Sequence, residues 1–211
     1  MAKCRTIEIL LITRRILMAE VYLRRAQIQD LATIMKIIDD AKELLKKNGS
    51  PQWQNGYPNH ETFAQDIAMQ ANWILIDDNK VVATATLQLT PEPTYRNIAQ
   101  GHWQQPDEPY ATIHRVAISS DYRGHGLSKL LFSNLLTVGQ MQGIKNFRID
   151  THRSNKAMQH IVENFNFKRR GIIKVNDQND PERLAYELNL GSHHKLTRIN
   201  NNFMQPLIDN L

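Results

Sequence analysis

The sequence predicts one mixed α/β domain, with a mostly antiparallel central sheet flanked by helices on both faces. Three observations predict it. β-Type and helical runs follow in the order β-α-α-β-β-β-α-β-α-β-β, which combines hairpins with two strand–helix–strand units. The chain has 211 residues, of which 41% are hydrophobic and 22% charged, as in ordinary globular domains. It shows no internal repeat and no linker that would divide it.

The first half of the domain begins with an alternating run over 20–25, which favours a strand. Asp30 can then cap a helix whose apolar spacing continues to about Lys47. Gly49 is expected to end that helix. A loop dense in turn-forming residues follows, and a second helix is expected over 60–71.

The middle of the chain predicts a β-hairpin over 73–89, because two β-rich runs flank the turn Asp78-Asn79. Residues 90–109 form a long polar loop with four prolines. Long loops of this kind often lie over a functional site. The alternating run 110–118 is the next predicted strand.

The second half predicts two amphipathic helices that alternate with strands. The expected elements are a helix from Leu127, a strand over 146–150, a helix over 154–165, and two closing strands over 171–175 and 184–190. In the first helix the apolar face is Leu127, Leu130, Leu131, Leu135 and Val138.

The two ends are expected to lie outside the domain, which spans 18–190. Residues 1–17 are interpreted as an extension, either from an upstream start codon or a short helix packed on the domain or on a partner. Residues 191–211 are polar with scattered apolar positions and are left as an unassigned C-terminal tail.

Composition excludes several classes of function. The net charge of +5 is spread along the chain, which does not indicate nucleic acid, and no apolar run of 18 residues predicts a membrane span. The single cysteine, Cys4, permits no disulfide within the chain. No group of His, Cys, Asp and Glu has metal-ligand spacing, so no metal is expected. Without an export signal, the cytoplasm is the expected location.

The turn Arg123-Gly124-His125-Gly126 raises the central question, because it joins a strand directly to a strongly apolar helix. Unpaired N–H groups and the helix dipole make such a helix N-terminus an anion site. Glycines let an anion approach the backbone, and Arg123 and Lys129 add charge. A tight turn alone would also explain the glycines. Neither the P-loop pattern nor the dinucleotide fingerprint fits.

The stretch Arg123–Ser128, with the entry "VAISSDYRG" before it, resembles motif A of the GCN5-related N-acetyltransferases. A second signature of that family, an asparagine followed by a helix that ends in Gly-Phe, is similar to the stretch from Asn155 to Asn166-Phe167. Asparagine can replace the glycine because it tolerates the left-handed conformation. The resemblance covers about 170 residues, since the element order also matches.

The resemblance implies where acetyl-CoA would bind. The pantetheine arm would bond to one strand like an added strand, in a splay between that strand and 146–150. The N–H groups of 124–129 would hold the pyrophosphate. Asn155 would contact CoA, cap its helix, or do both. The implied cofactor residues are Val116, Ala117, Ile118, Arg123, Gly124, His125, Gly126, Leu127, Ser128, Lys129 and Asn155.

The catalytic groups are less determined. A backbone N–H near Val116 could stabilise the oxyanion. Many members of that family have a tyrosine in the second helix that acts as the general acid. Here Val162 takes that position, and valine cannot donate a proton. Tyr186 or water is then left to protonate the thiolate. The candidate bases are Asp150, His114, His152 and Glu108.

The predicted function is that of an acetyl-CoA-dependent N-acetyltransferase, in which the amine attacks directly in a ternary complex. The alternative is a non-catalytic acyl-CoA-binding sensor. The acceptor, a small-molecule or protein amine, would be chosen by the loops 49–59 and 90–109. The aromatic and acidic residues there that could form its pocket are Trp53, Tyr57, Tyr95, Trp103, Glu92, Asp107 and Glu108. Residues 168–170 are either a solvated edge or a contact for the CoA 3′-phosphate. The sequence does not decide whether the protein is a monomer or a homodimer.

Overall fold

The computed structural model describes residues 21–177 and 179–191. The expected extension 1–17 and the tail from 192 onward lie outside these residues. The described part holds seven strands and four α-helices. They are β1 (Tyr22–Arg25), α1 (Leu31–Lys47), α2 (His60–Ala68), β2 (Asn72–Asp77), β3 (Lys80–Gln88), β4 (Tyr110–Ile118), α3 (Leu127–Met141), β5 (Asn146–Thr151), α4 (Lys156–Asn164), β6 (Lys168–Lys174) and β7 (Glu182–Asn189).

All seven strands form one sheet in the order β1-β2-β3-β4-β5-β7-β6. Every neighbouring pair is antiparallel except β4 and β5, which are parallel because α3 crosses between them. The predicted fold class and element order are confirmed. The predicted hairpin is also confirmed: Asp78 and Asn79 both have positive φ, as a two-residue turn between twisted strands requires.

The helices cover both faces of the sheet, as the apolar spacing predicts. Ile74 and Ile76 of β2 pack with α1 and α2, through Ile34, Ile38 and Phe63. Leu75, which points to the opposite face, packs in a second cluster with α3 and α4. Leu131, Phe132 and Val162 are fully buried in that second cluster.

Three local predictions need correction. The Asp30 carboxylate does not cap α1. It accepts from the Gln27 N–H (2.7 Å) and pairs with Arg24 (2.8 Å), because a 3₁₀ turn over Ile28–Asp30 precedes the helix. α2 ends at Ala68, three residues early. β6 begins at Lys168, three residues before the strand predicted over 171–175, so the basic run 168–170 belongs to this strand.

The long loop 90–109 is anchored to the sheet by a buried polar and aromatic cluster. The Arg148 guanidinium lies between the rings of Trp103 (4.3 Å) and Tyr110 (3.9 Å). Its Nε is 3.2 Å from Glu187, which is fully buried and also bonds to Arg170 (3.0 Å). Arg170 is therefore structural, and the loop is held in place rather than left free over the sheet.

In the described part of the chain, no helix is both long enough and apolar enough to cross a membrane.

Candidate active site

The gap between β4 and β5 is the central feature of the site. The two strands pair only at Tyr110, Ala111 and Thr112, opposite Asn146, Phe147 and Arg148. β4 continues to Ile118 and β5 to Thr151 without further pairing between them. The predicted splay is confirmed. Backbone groups of 113–118 that face the gap therefore have no strand partner there, and an extended ligand could supply one.

A β-bulge lies at the mouth of this gap. Thr84 pairs with Ala117 and Thr86 with His114, so Ala85 faces both Arg115 and Val116. Arg115 has φ of 55°, in the left-handed region that costs a non-glycine residue energy. The bulge breaks the regular pairing of β4 with β3 just before Val116.

Side-chain contacts hold Arg115 in this conformation. Its Nη1 is 2.8 Å from Asp66 of α2, and its Nε donates to the Tyr57 hydroxyl at 2.9 Å. The same Asp66 carboxylate accepts from Thr86 at 2.7 Å. Asp66 and Arg115 are both mostly shielded from solvent, so their ion pair is stronger than a surface pair.

The turn before α3 forms the second part of the site. Gly124 and Gly126 have φ of 85° and 75°, and a Cβ at either position would meet no atom within 4 Å. The N–H groups of Gly124, Gly126, Leu127 and Ser128 have no protein acceptor among the described residues. Unpaired N–H groups at a helix N-terminus with open space beside them fit a pyrophosphate.

Two details of this turn differ from the expectation. The Lys129 N–H bonds to the Gly126 carbonyl (3.0 Å) and the His125 N–H to the Tyr122 carbonyl (3.5 Å), so fewer amides are free than predicted. Arg123 donates to the Asp40 carbonyl at 3.2 Å. That contact ties the turn to α1, while His125 and Lys129 stay exposed.

Asp150 lies on β5 where the strands part. Because Phe147 and Ile149 point into the α3–α4 core, alternation puts Asp150 on the opposite face, beneath the loop 90–109. The Tyr95 hydroxyl donates to Asp150 Oδ1 at 2.7 Å. Burial, and after it the Asp150 charge, raises the pKa of Tyr95 well above its usual value. Tyr95 is therefore a fixed donor, and Asp150 Oδ2 is left for another partner.

His114 and Glu92 lie beside this pair. The His114 ring is 6.2 Å from the Tyr95 ring, and its Nε2 is 3.5 Å from Glu92. His114 first, together with donors from Thr94, lowers the pKa of Glu92 to about 2. Glu92 therefore remains a carboxylate at neutral pH, and the region carries negative charge.

The turn from β5 to α4 carries a further polar set. His152 is 2% exposed, with Nε2 2.9 Å from Asp180 and Nδ1 2.6 Å from the Ser154 hydroxyl. Arg153, 2.7 Å from Asp180, and then His152 lower the pKa of Asp180 to about 2. Asp180 comes from the β6–β7 loop, so this set joins two loops near the gap.

The stretch that begins at Asn155, which resembles the second family signature, has a structural role in α4. Asn155 caps α4 by accepting from the Met158 N–H (3.1 Å), and its Nδ2 donates to Gln52 (3.3 Å). Val162 is completely buried, and Tyr186 is 2% exposed in the same core. Both side chains therefore belong to this core.

The structure brings together some of the predicted residues and not others. Asp150 and His114 meet at the splay through Tyr95. Glu108 is exposed and precedes the paired end of β4, so it is separated from the splay by the length of the paired segment. The expected aromatic pocket is only partly formed, because Tyr95 and Trp103 stack on each other in the interior while Tyr57 is 43% exposed.

Sequence reasoning missed Arg115, Asp66, Ser154 and Asp180. The partners of Arg115, Asp66 and Asp180 are 28 to 58 residues away in the chain. The one local signal was Ser154 two residues after His152.

Comparison with known proteins gives the family. The family model of the acetyltransferase (GNAT) family matches residues 38–167. A GNAT-family acetyltransferase from Streptococcus agalactiae 2603 is 32% identical, with a TM-score of 0.74 over 80% of this chain and 95% of its own. Among curated proteins, none matches the chain.

More distant structures share the fold. A putative acetyltransferase from Staphylococcus aureus Mu50 is 26% identical, with a TM-score of 0.61 over 80% of this chain and 99% of its own. The PaiA N-acetyltransferase from Thermoplasma acidophilum, solved in complex with coenzyme A, is 15% identical, with a TM-score of 0.60 over 81% of this chain and 99% of its own.

Proposed function

The chain belongs to the GNAT acetyltransferase family, and from this premise we propose that it transfers an acetyl group from acetyl-CoA to an amine, by direct attack in a ternary complex. The splay between β4 and β5 carries the proposal, because it opens beside the bulge and leads to the glycine turn of α3. A gap between two strands, one of which runs on into the anion site before α3, suits a long thioester that ends in a pyrophosphate.

The proposed cofactor residues follow that line. The backbone of Val116, Ala117 and Ile118 would bond to the pantetheine amides across the gap. The free N–H groups from Gly124 to Ser128 would hold the pyrophosphate, with exposed His125 and Lys129 adding positive charge. Arg123 would position the turn through its bond to α1. Asn155 would release Gln52 and donate its amide to the arm.

The chemistry proposed at the gap is acyl transfer. Asp150 Oδ2, free of the Tyr95 bond, takes a proton from the acceptor ammonium. The neutral amine nitrogen attacks the thioester carbon, and the Val116 N–H stabilises the oxyanion that forms. The C–N bond forms, and the nitrogen, now cationic, gives up its second proton to water. The C–S bond then breaks, its electron pair goes to sulfur, and sulfur takes up one proton.

The charge around the gap favours a cationic acceptor. Asp150 and Glu92 lie on the Tyr95 side, and the low pKa of Glu92 keeps it ionised. Asp66 is neutralised by Arg115 and adds little. A primary ammonium, on a small molecule or on a protein, is attracted to this region before it loses its proton.

Calorimetry with acetyl-CoA tests the binding half of the proposal. We expect micromolar binding that Gly126→Glu abolishes, because its carboxylate would occupy the anion site. Gly143→Glu is the matched control: Gly143 also has positive φ (82°) and open space, but it lies at the far end of α3. Equal loss in both variants, or no binding by the folded wild type, would refute the placement.

Turnover tests the other half. Release of the CoA thiol that depends on an added amine would distinguish the enzyme from the non-catalytic sensor. Binding of acetyl-CoA without thiol release across a broad panel of amines would instead favour the sensor.

A further inference from the structure

The proposed transfer needs a proton for the departing thiolate, and the usual donor position is apolar. Val162 takes that position and is fully buried in the α3–α4 core. Tyr95 lies beside the gap, but its O–H already donates to Asp150 at 2.7 Å. A donor at the gap therefore needs a hydroxyl whose proton is not held by another group.

The Tyr57 hydroxyl meets that condition. Its oxygen accepts from Arg115 Nε at 2.9 Å, and no acceptor among the described residues takes its own proton. We propose that Tyr57 donates this proton to the CoA thiolate as the C–S bond breaks. This rests on the proposed function, and it gives the loop 49–59 a catalytic group.

A direct contact places this hydroxyl at the bulge. Arg115, which donates to it, is the bulge residue with positive φ. Arg115 directly precedes Val116, whose N–H the proposed function assigns to the oxyanion. The guanidinium also lies over the Tyr57 ring, 5.6 Å from its centroid, and is fixed by Asp66 at 2.8 Å. Tyr57 is therefore tied to the residue that shapes β4 next to the proposed reaction centre.

The loop that carries Tyr57 also contacts the opposite side of the gap. Gln52 accepts from the His152 N–H at 3.4 Å, directly after β5 ends at Thr151. Continued from its paired end, the parallel register of β4 and β5 brings Arg115 level with Thr151. Residues 52–57 therefore cross the gap where its two strands are unpaired, and a ligand held between the strands would lie beneath them.

The charges around the hydroxyl suit a proton donor. The residue is 43% exposed, but burial of its hydroxyl raises the pKa of Tyr57. Arg115 lowers that pKa, and the charges of Asp66 and Asp150 raise it further. Tyr57 therefore keeps its proton at neutral pH. The same burial and carboxylates would make a thiolate in the gap more basic, which favours the transfer.

The step balances. As the C–S bond breaks, its electron pair goes to sulfur, and sulfur takes the Tyr57 hydroxyl proton. The phenolate oxygen keeps its hydrogen bond from Arg115 Nε, which stabilises the negative charge, and then regains a proton from water. Asp150 passes the first amine proton to solvent, and water has taken the second. The net products are amide, thiol and one released proton.

The test compares the full-length wild type with Tyr57→Phe, and Tyr22→Phe is the matched control. Tyr22 is a half-buried tyrosine on β1, which two strands separate from β4. Thiol release is measured with a saturating amine, and acetyl-CoA affinity is measured by calorimetry. We expect Tyr57→Phe to lower kcat about 100-fold with unchanged affinity, and Tyr22→Phe to change neither.

A second substitution distinguishes a proton donor from a support for Arg115. Replacing Tyr57 by 3-fluorotyrosine keeps the hydroxyl and its bond from Arg115 but makes the phenol more acidic. We expect the alkaline fall in kcat to move to lower pH, because the donor must be protonated. A hydroxyl that only holds Arg115 would leave the pH profile unchanged, since a phenolate also accepts from Arg115.

Each other outcome decides against Tyr57 as the donor. If Tyr57→Phe keeps kcat within about threefold of wild type, the proton comes from elsewhere. If kcat falls but 3-fluorotyrosine leaves the pH profile unchanged, the hydroxyl only supports the bulge. If kcat and affinity fall together, the loop holds the cofactor instead. A wild type that binds acetyl-CoA but transfers nothing refutes the proposed function and the donor with it, whereas an active wild type with an equally active Tyr57→Phe overturns the donor alone.

Discussion

Replacing Arg115 tests the account of the bulge. Alanine is normally better than glycine in a strand by about 0.5–1 kcal/mol. At a φ of 55°, however, the left-handed backbone destabilises alanine by about 1–2 kcal/mol relative to glycine. We therefore expect the order to reverse, with Arg115→Gly about 1 kcal/mol more stable than Arg115→Ala.

Both variants should be less stable than wild type. In each variant the Asp66 carboxylate keeps its hydrogen bond from Thr86 but loses its ion pair with Arg115. Each variant also loses the hydrogen bond from Arg115 to the Tyr57 hydroxyl. Loss of one partner from a shielded charged pair costs about 3 kcal/mol. The backbone contribution is the difference between the two variants, in which the lost side-chain contacts cancel.

Urea unfolding measures both quantities. With an m-value of about 2 kcal/mol/M, a difference of 1 kcal/mol moves the midpoint by about 0.5 M. Arg115→Ala equal to or more stable than Arg115→Gly would show that the bulge does not require a left-handed residue. Thr112 in the paired part of β4 gives the comparison, because there Thr112→Ala should be more stable than Thr112→Gly.

Three further predictions concern the site and its supports. Asp150→Asn should lower kcat at neutral pH by about 100-fold while acetyl-CoA affinity is unchanged, and thiol-release kinetics with calorimetry check this; full activity would exclude Asp150 as the base. Glu187→Gln should destabilise the fold by about 3 kcal/mol in urea, because Arg148 and Arg170 lose their shared buried carboxylate; a change below 1 kcal/mol would mean that the cluster does not anchor the loop. The pKa of Glu92 falls from 4.5 to about 2 on folding, so its contribution is present above pH 4.5 and is lost as the pH falls toward 2. Urea midpoints from pH 7 to pH 3 should therefore fall less for Glu92→Gln than for wild type, and parallel curves would contradict the assignment.

The sequence by itself determined the features that depend on neighbours along the chain. Apolar spacing of 3.6 or 2 residues predicts α3, α4 and the strands, and the pair Asp78-Asn79 predicts the hairpin turn, because the chain itself imposes these periods and turn conformations. The glycines before α3 predict the anion site for the same reason. The prediction that Asp30 caps α1 is wrong, because its carboxylate accepts from Arg24 and from the Gln27 N–H before a short 3₁₀ turn.

Only the tertiary structure decided which polar groups meet at the gap. Tyr95 reaches Asp150 across 55 residues, and Tyr57 reaches Arg115 across 58. The bulge at Arg115 depends on pairing with β3 and on Asp66 of α2, so no local pattern signals it. Glu108 and Asp150 are both candidate bases in the sequence. The parallel register separates them, because β4 and β5 pair at the end near Glu108 and part beside Asp150.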